Sequence, residues 1–260
     1  MKDLTSIPGV PPLIACFCLL SAWQLLSMYW GLDSLPGAWE SLQEIPRILS
    51  EPRARYDILS SVRRMLAGFA LALCFAIPVG LLMGRSKKVA AFFNPLFMMI
   101  YPVPKAALMP IIMLWLGIGD ASKTLVIFLG VSLPVIYHTY QGSKAVGEKL
   151  LWSGAAMGMS KREQLFRIVL PAAMPEIMVG CRTGLVLALI TMVTSEMIVR
   201  QAGIGNLLYN SLDLAQYSAT YATIVIVGVL GFVLDFAFEK LRGVVVGWAD
   251  PVHAIAVGSA

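Results

Sequence analysis

The sequence predicts an all-α membrane protein with about six transmembrane helices joined by short loops, and three observations lead there. Of its 260 residues, 58% are hydrophobic and only 13% are charged, against about 25% charged in a soluble globular protein. Several uncharged runs approach or pass the roughly 18 residues that a membrane span requires. The basic residues fall mostly between those runs, so the net charge of +5 reports orientation across a bilayer rather than affinity for nucleic acid.

In chain order, residues 1–9 are short and polar, and residues 10–29 carry no charge and form the first expected span. The length of that run, with no small-residue cleavage site after it, argues against a removable leader. Residues 31–57 are polar and punctuated by Pro36, Gly37 and Pro46. Within them Trp39, Leu42, Ile45, Ile48 and Leu49 recur at helical spacing, which suits a helix lying at the membrane surface. Ser60 and Ser61 are expected to precede the second helix, whose membrane part is residues 65–84 with a kink at Pro78.

After the basic turn Arg85, Lys87 and Lys88, an apolar run over 89–103 is interrupted by Pro102, Pro104 and Lys105 and resumes over 106–119 with Pro110 inside it. The pattern fits one broken span or two half-spans. Irregular backbone at membrane depth survives only inside protein or beside a water-filled cavity. That places 102–110 against a pathway, or in a kinked helix buried between neighbours. Residues 123–141 form the next span, residues 177–198 the fifth with Arg182 and Glu196 near its ends, and residues 214–234 the sixth. The expected division is an N-terminal span with an external surface segment (1–58), a transmembrane unit (59–248) and a tail (249–260).

Intramembrane charges are costly and commonly face a cavity or a partner. Lys105 could offer its charge to a passing anion, and Glu196 could hold a gate by pairing with a base. The simpler alternatives are that Lys105 snorkels to the headgroups and that Glu196 braces a helix. Cys16, Cys18, Cys74 and Cys181 lie in apolar runs without metal-ligand spacing and are expected to be buried small hydrophobes. His138 and His253 show no partner pattern, and no set of residues suits enzyme chemistry.

The stretch around which the chain is organised is 152–171, WSGAAMGMSKREQLFRIVLP. A short helix over about 149–157 is expected to turn at Gly158, where glycine tolerates a positive φ. A second helix over about 160–169 starts with Ser160 and Glu163 at capping-box spacing. Leu165, Ile168 and Val169 give it an apolar side, and Pro171 is expected to stop it. Such an element can seat in a partner's groove or pack only on its own protein.

Ile168, Leu170 and Pro171 follow Gly158 by ten, twelve and thirteen residues. That spacing resembles the cytoplasmic-loop signature E-A-A-x3-G-x9-I-x-L-P of bacterial ATP-binding cassette (ABC) importer permeases. Trp152, Ser153 and Gly154 stand where that signature has Glu-Ala-Ala. Further collinear stretches resemble the taurine, sulfonate and nitrate branch: IPVG at 77–80, YPVP at 101–104, LMP at 108–110, LGIG at 116–119, LPAAMPEI at 170–177, SEM at 195–197 and GIG at 203–205.

The resemblance implies a type I permease subunit in a bacterial inner membrane, with both termini cytoplasmic. A second copy of the chain would complete the path. Two ATPase subunits, holding ATP and magnesium, would dock on the 152–171 loops, and an external binding protein would deliver a small anionic solute. This chain carries no G-x4-G-K-[ST] phosphate loop of its own. Lipid is then a partner and nucleic acid is not. The basic loops agree with that orientation, apart from the cluster between Arg47 and Arg64. A secondary transporter or channel not driven by ATP is the competing reading.

Overall fold

The computed structural model describes residues 10–249, with side chains from residue 14 onward, and among them there is no strand. Lys2, His253 and the tail beyond 249 lie outside the described residues. Eleven α-helices follow one another. Helix α1 (Val10–Trp30) leads through a turn to α2 (Ala38–Ser50), α3 (Pro52–Arg85) and α4 (Lys87–Ile100). A 3-10 turn (Lys105–Leu108) leads into α5 (Met109–Leu116), and α6 (Asp120–Ala145) follows. The short α7 (Glu148–Ala156) and α8 (Lys161–Gln164) then precede α9 (Leu170–Val199), α10 (Ile204–Asp213) and α11 (Tyr217–Val246).

Among the described residues four segments have the length and apolarity to cross a bilayer, against about six expected: Pro52–Arg85, Asp120–Ala145, Lys161–Val199 and Tyr217–Ala249. The pair α4 and α5 is bent by 85° and makes a fifth span if the two count as one. Helix α1 is apolar over its described part, Ile14–Trp30. The interruption at 102–105 is thus a sharp bend between two short helices, because Pro102 and Pro104 cannot donate the bonds that would continue α4.

The centre of the fold is α6, held between α3 and α9. These helices approach closely because glycines face larger neighbours. A Cβ on Gly80 would lie 2.5 Å from Thr139 Cβ, and one on Gly180 would lie 2.7 Å from His138 Cβ. Gly184 meets Val131 and Val135, and Ala188 is fully buried. Small residues at 180 and 184 suit close helix contact, and the contact they make is with α6 of the same chain. Met65, Ile127, Val131, Val135, Ile177 and Met192 fill the core around them.

The structure departs from the sequence expectation at several positions. Helix α3 begins at Pro52, so Ser60 and Ser61 lie inside it, and the division read at 58/59 falls within one continuous helix. Pro52 takes a first-turn position, where a missing N–H costs nothing. Ser61 Oγ donates back to Asp57 O within the helix. Cys16, Cys18 and Cys74 are exposed and only Cys181 is buried. Their helices turn those positions outward, where a thiol behaves as a small apolar group toward lipid. His138 does have a partner, Glu176 Oε1 on α9, 2.7 Å from its Nδ1. Arg182 is joined to Asp235 and Glu239 of α11.

Candidate functional site

The loop between α6 and α9 leaves the body of the fold as two short helices. Helix α7 ends at Ala156 with Met157 as its cap, and Gly158 takes φ +81° with open space around it. Glycine is needed there for backbone conformation rather than for clearance. Ser160 then opens α8 with both halves of a capping box: its N–H donates to Glu163 Oε2 at 2.8 Å, and Glu163 N–H donates to Ser160 Oγ at 3.3 Å. The bond from the Ser160 backbone holds the Glu163 carboxyl below its ordinary pKa.

Gly154 and Ile168 join the two arms of the loop, since a Cβ on Gly154 would lie 2.7 Å from Ile168 Cδ1. Leu151 and Val169 are buried beneath them, whereas Trp152, Met157 and Phe166 are 65%, 71% and 62% exposed. Ser153 is exposed with its hydroxyl on Lys149 O. The loop therefore leaves three large apolar side chains uncovered on a backbone fixed by local bonds. Phe166 was not singled out by the spacing, although it lies one helical turn before Leu170.

Pro171 does not stop the helix. A π turn (Leu165–Val169) carries the chain from α8 into α9, and Pro171 sits in the first turn of α9. There its absent N–H breaks no required bond, and the π turn re-registers the ladder ahead of it. The result is a segment helical from Lys161 to Val199, through which the loop is connected directly to the opposite end of the bundle.

At that opposite end lies a cluster of buried charge. Glu196 is 1% exposed and Arg64 is 3% exposed, with Arg64 Nη2 to Glu196 Oε1 at 2.7 Å. Arg64 also reaches Asp120 Oδ1 at 2.7 Å and Ala202 O at 3.1 Å. The Ser61 hydroxyl lies 2.7 Å from Glu196 Oε1 and accepts from the Ile204 amide at 2.9 Å. Asp57 Oδ1 accepts from the Gly203 amide at 2.9 Å, and Lys123 Nζ donates to Ala202 O at 2.9 Å. Gly203, at φ +122°, has no room for a Cβ beside the Glu196 carboxylate.

The SEM and GIG stretches are thus two halves of one arrangement, in which the turn after α9 folds back onto Glu196. Asp57, Ser61, Arg64 and Lys123 complete it and were not anticipated. The signal available was their spacing: positions 57, 61 and 64 share one helical face, and they are polar residues on the way into an apolar span.

Lys105 sits at the bend after α4. Its Nζ donates to Ile100 O at 2.6 Å, Val103 O at 2.7 Å and Tyr101 O at 3.2 Å, so its ammonium closes the carboxyl end of the helix that Pro102 and Pro104 interrupt. Pro102, Pro104 and Pro110 are exposed, and Pro110 occupies the first turn of α5. Beside this bend, between α4, α6 and α9, is a cavity of about 570 Å³ whose walls include Asn94, Phe97, Tyr101, Leu133, Tyr137 and Thr183. Among the described residues no group of His, Cys, Asp and Glu is placed to hold a metal ion.

Residues 76–242 match the family described as the binding-protein-dependent transport system inner membrane component. The chain belongs to this family. It is a permease of a binding-protein-dependent ABC import system. It is 33% identical over 194 residues to the taurine transport system permease protein TauC of Escherichia coli, covering 75% of this chain and 70% of that one. It is 27% identical over 246 residues to the nitrate import permease protein NrtB of Synechocystis, covering 91% and 89%. An inward-facing structure of the MetNI methionine ABC transporter shares the fold with a TM-score of 0.66 at 14% identity, over 73% of this permease and 94% of that chain.

Proposed function

We propose that two copies of this permease enclose the translocation path of a bacterial inner-membrane importer. The path takes a small anionic solute of the taurine, sulfonate or nitrate kind, delivered by an external binding protein. Two ATPase subunits, carrying ATP and magnesium, seat on the 152–171 loops on the cytoplasmic side, where both termini also lie. The observation that carries this reading is the uncovered apolar face of Trp152, Met157 and Phe166 on the capped loop. It suits a groove in a partner and stands at the root of a helix that runs to the buried charge cluster. In this reading the bend at 102–110 and the far half of α9 face the path, with Lys105 offering a positive charge to the solute. Glu196, paired with Arg64, holds the gate at the external end.

The test is Gly158→Trp, co-expressed with the ATPase and binding protein. A bulky side chain at φ +81° distorts the turn between α7 and α8. The expected result is a permease present in the membrane at normal level with solute uptake uncoupled from ATP hydrolysis. Normal coupled uptake would overturn the role of the loop. Uptake sustained by an ion gradient without any ATPase would replace the reading with a secondary transporter.

A further inference from the structure

Among the described residues, the walls of the cavity between α4, α6 and α9 hold no Lys, Arg, Asp or Glu, and the one side chain there that can gain a positive charge is His138. Its imidazole is fixed from α9 at two points. A Cβ on Gly180 would lie 2.7 Å from His138 Cβ and 3.3 Å from its Cγ, so the ring passes over bare backbone. Glu176 stands one helical turn earlier on the same face of α9, and its Oε1 lies 2.7 Å from Nδ1. An ionised carboxylate only accepts, so Nδ1 carries the hydrogen and Nε2 keeps a lone pair in the neutral ring. Nε2 makes no hydrogen bond among the described residues.

We infer that His138 and Glu176 link anion binding in this cavity to the uptake of one proton. This rests on the reading above that the α4–α6 side borders the path, and it adds the contact that an anion meets inside. Without the proton the pair carries one negative charge and offers a lone pair, and both oppose an anion. Protonation at Nε2, with the proton drawn from water, makes the pair neutral overall and presents an N–H donor. The proton returns to water when the anion leaves.

The other charged groups around the ring are engaged elsewhere. Further along α9, Arg182 is held by Asp235 and Glu239 of α11. On α6, Lys144 Nζ lies over the Tyr140 ring. Lys105 is bonded to three carbonyls at the bend and acts on an anion only through space. The walls from α3 and α4 are Met83, Asn94, Phe97 and Met98, none of them charged. Tyr137 packs edge-on against the imidazole, and Cys181 is buried outside the walls. Histidine changes charge between about pH 5 and 8, so the link is read within that range, with binding present on the acid side and lost as pH rises.

The experiment uses the permease–ATPase complex in proteoliposomes, with the four native cysteines replaced and Thr183→Cys introduced in the cavity wall. Labelling by a water-soluble thiol reagent is compared with and without anion at each pH, so that the pH dependence of the thiol itself cancels. Nitrate and ethanesulfonate are the probes, because neither changes its own charge over the range used, and dimethyl sulfone is the neutral control. With either probe the concentration giving half protection should rise about tenfold from pH 6 to pH 8, while dimethyl sulfone shows no such change. His138→Gln should remove the dependence on pH. Glu176→Gln keeps an acceptor for Nδ1 but removes the opposing charge, so protection at pH 8 should strengthen. Half protection at one concentration throughout, or a pH dependence that survives in His138→Gln, would overturn the inference. So would a reactive thiol that neither anion protects. Those results leave the path reading in place. A thiol at 183 that reacts in no nucleotide state, in a complex where Trp152→Cys reacts, would overturn the placement of the path on this side as well.

Discussion

At one end of the α3–α6–α9 bundle, Arg64, Lys123 and Glu196 are 3%, 1% and 1% exposed and bonded to one another's helices or to the 202–205 turn. At the other end Trp152, Met157 and Phe166 stand largely in the open on a loop whose polar groups are satisfied locally. The first end uses long-range partners to hold charge away from solvent. The second uses short-range bonds to hold apolar surface toward it. Buried charge is stable only when paired, so the first end is a closed, self-contained arrangement. Exposed aromatic surface gains its stabilisation when something covers it, so the second end is open to a partner. Helix α9 and its π turn connect the two, which lets an event at the loop bear on the buried pair.

The charged end is the more sensitive of the two to substitution. Arg64→Ala leaves Glu196 buried without its base and should cost about 3–5 kcal/mol, read as a lowered unfolding midpoint of the purified permease in detergent. The paired replacement Arg64→Met with Glu196→Leu should recover much of that loss. If the single variant unfolds no more easily than the parent, the cluster is not holding the fold.

Gly203→Ala should follow in size. A side chain at φ +122° occupies backbone space suited to glycine, at a cost of about 1–3 kcal/mol, and it also displaces the Glu196 carboxylate. A midpoint shift in the same direction as that of Arg64→Ala, with no further shift when the two are combined, would sharpen the assignment to one unit.

The loop should respond in the opposite manner. Phe166→Asp changes an exposed side chain, so the unfolding midpoint should move by no more than the equivalent of about 0.5 kcal/mol. Co-purification of the ATPase should fall sharply. A large loss of stability with the ATPase still bound would mean that the loop's apolar face packs within its own protein.

The smallest effect concerns the capping box. Ser160→Ala should loosen the start of α8 by about 1 kcal/mol, seen as faster amide exchange over 160–164. Because the folded pKa of Glu163 is depressed, its contribution is present above the unfolded carboxylate pKa and is lost as pH falls through the folded value. Exchange at the Ser160 amide should therefore quicken, relative to its intrinsic rate, on acidification through that range, and Glu163→Gln should flatten the response.

What depends on hydropathy and on contacts a few residues apart is legible along the chain. Four of the six expected spans became helices long and apolar enough to cross a bilayer, the prolines at 102 and 104 became a bend, Gly158 became a left-handed turn, and Ser160 with Glu163 became a capping box. Family membership was legible for the same reason, since its motifs are local and collinear. Tertiary structure alone decided who partners whom. Glu196 meets an arginine 132 positions away, His138 meets Glu176 38 positions on, and Gly180 and Gly184 face α6 of their own chain. It also decided that Ser61 lies inside its helix and joins a buried cluster instead of preceding that helix, and that Pro171 begins a helix instead of ending one. A charge in an apolar run announces that it needs a partner, because isolation in low dielectric is too costly. Which residue answers depends on how the helices pack, and that is set by shape over the whole chain rather than by spacing along it.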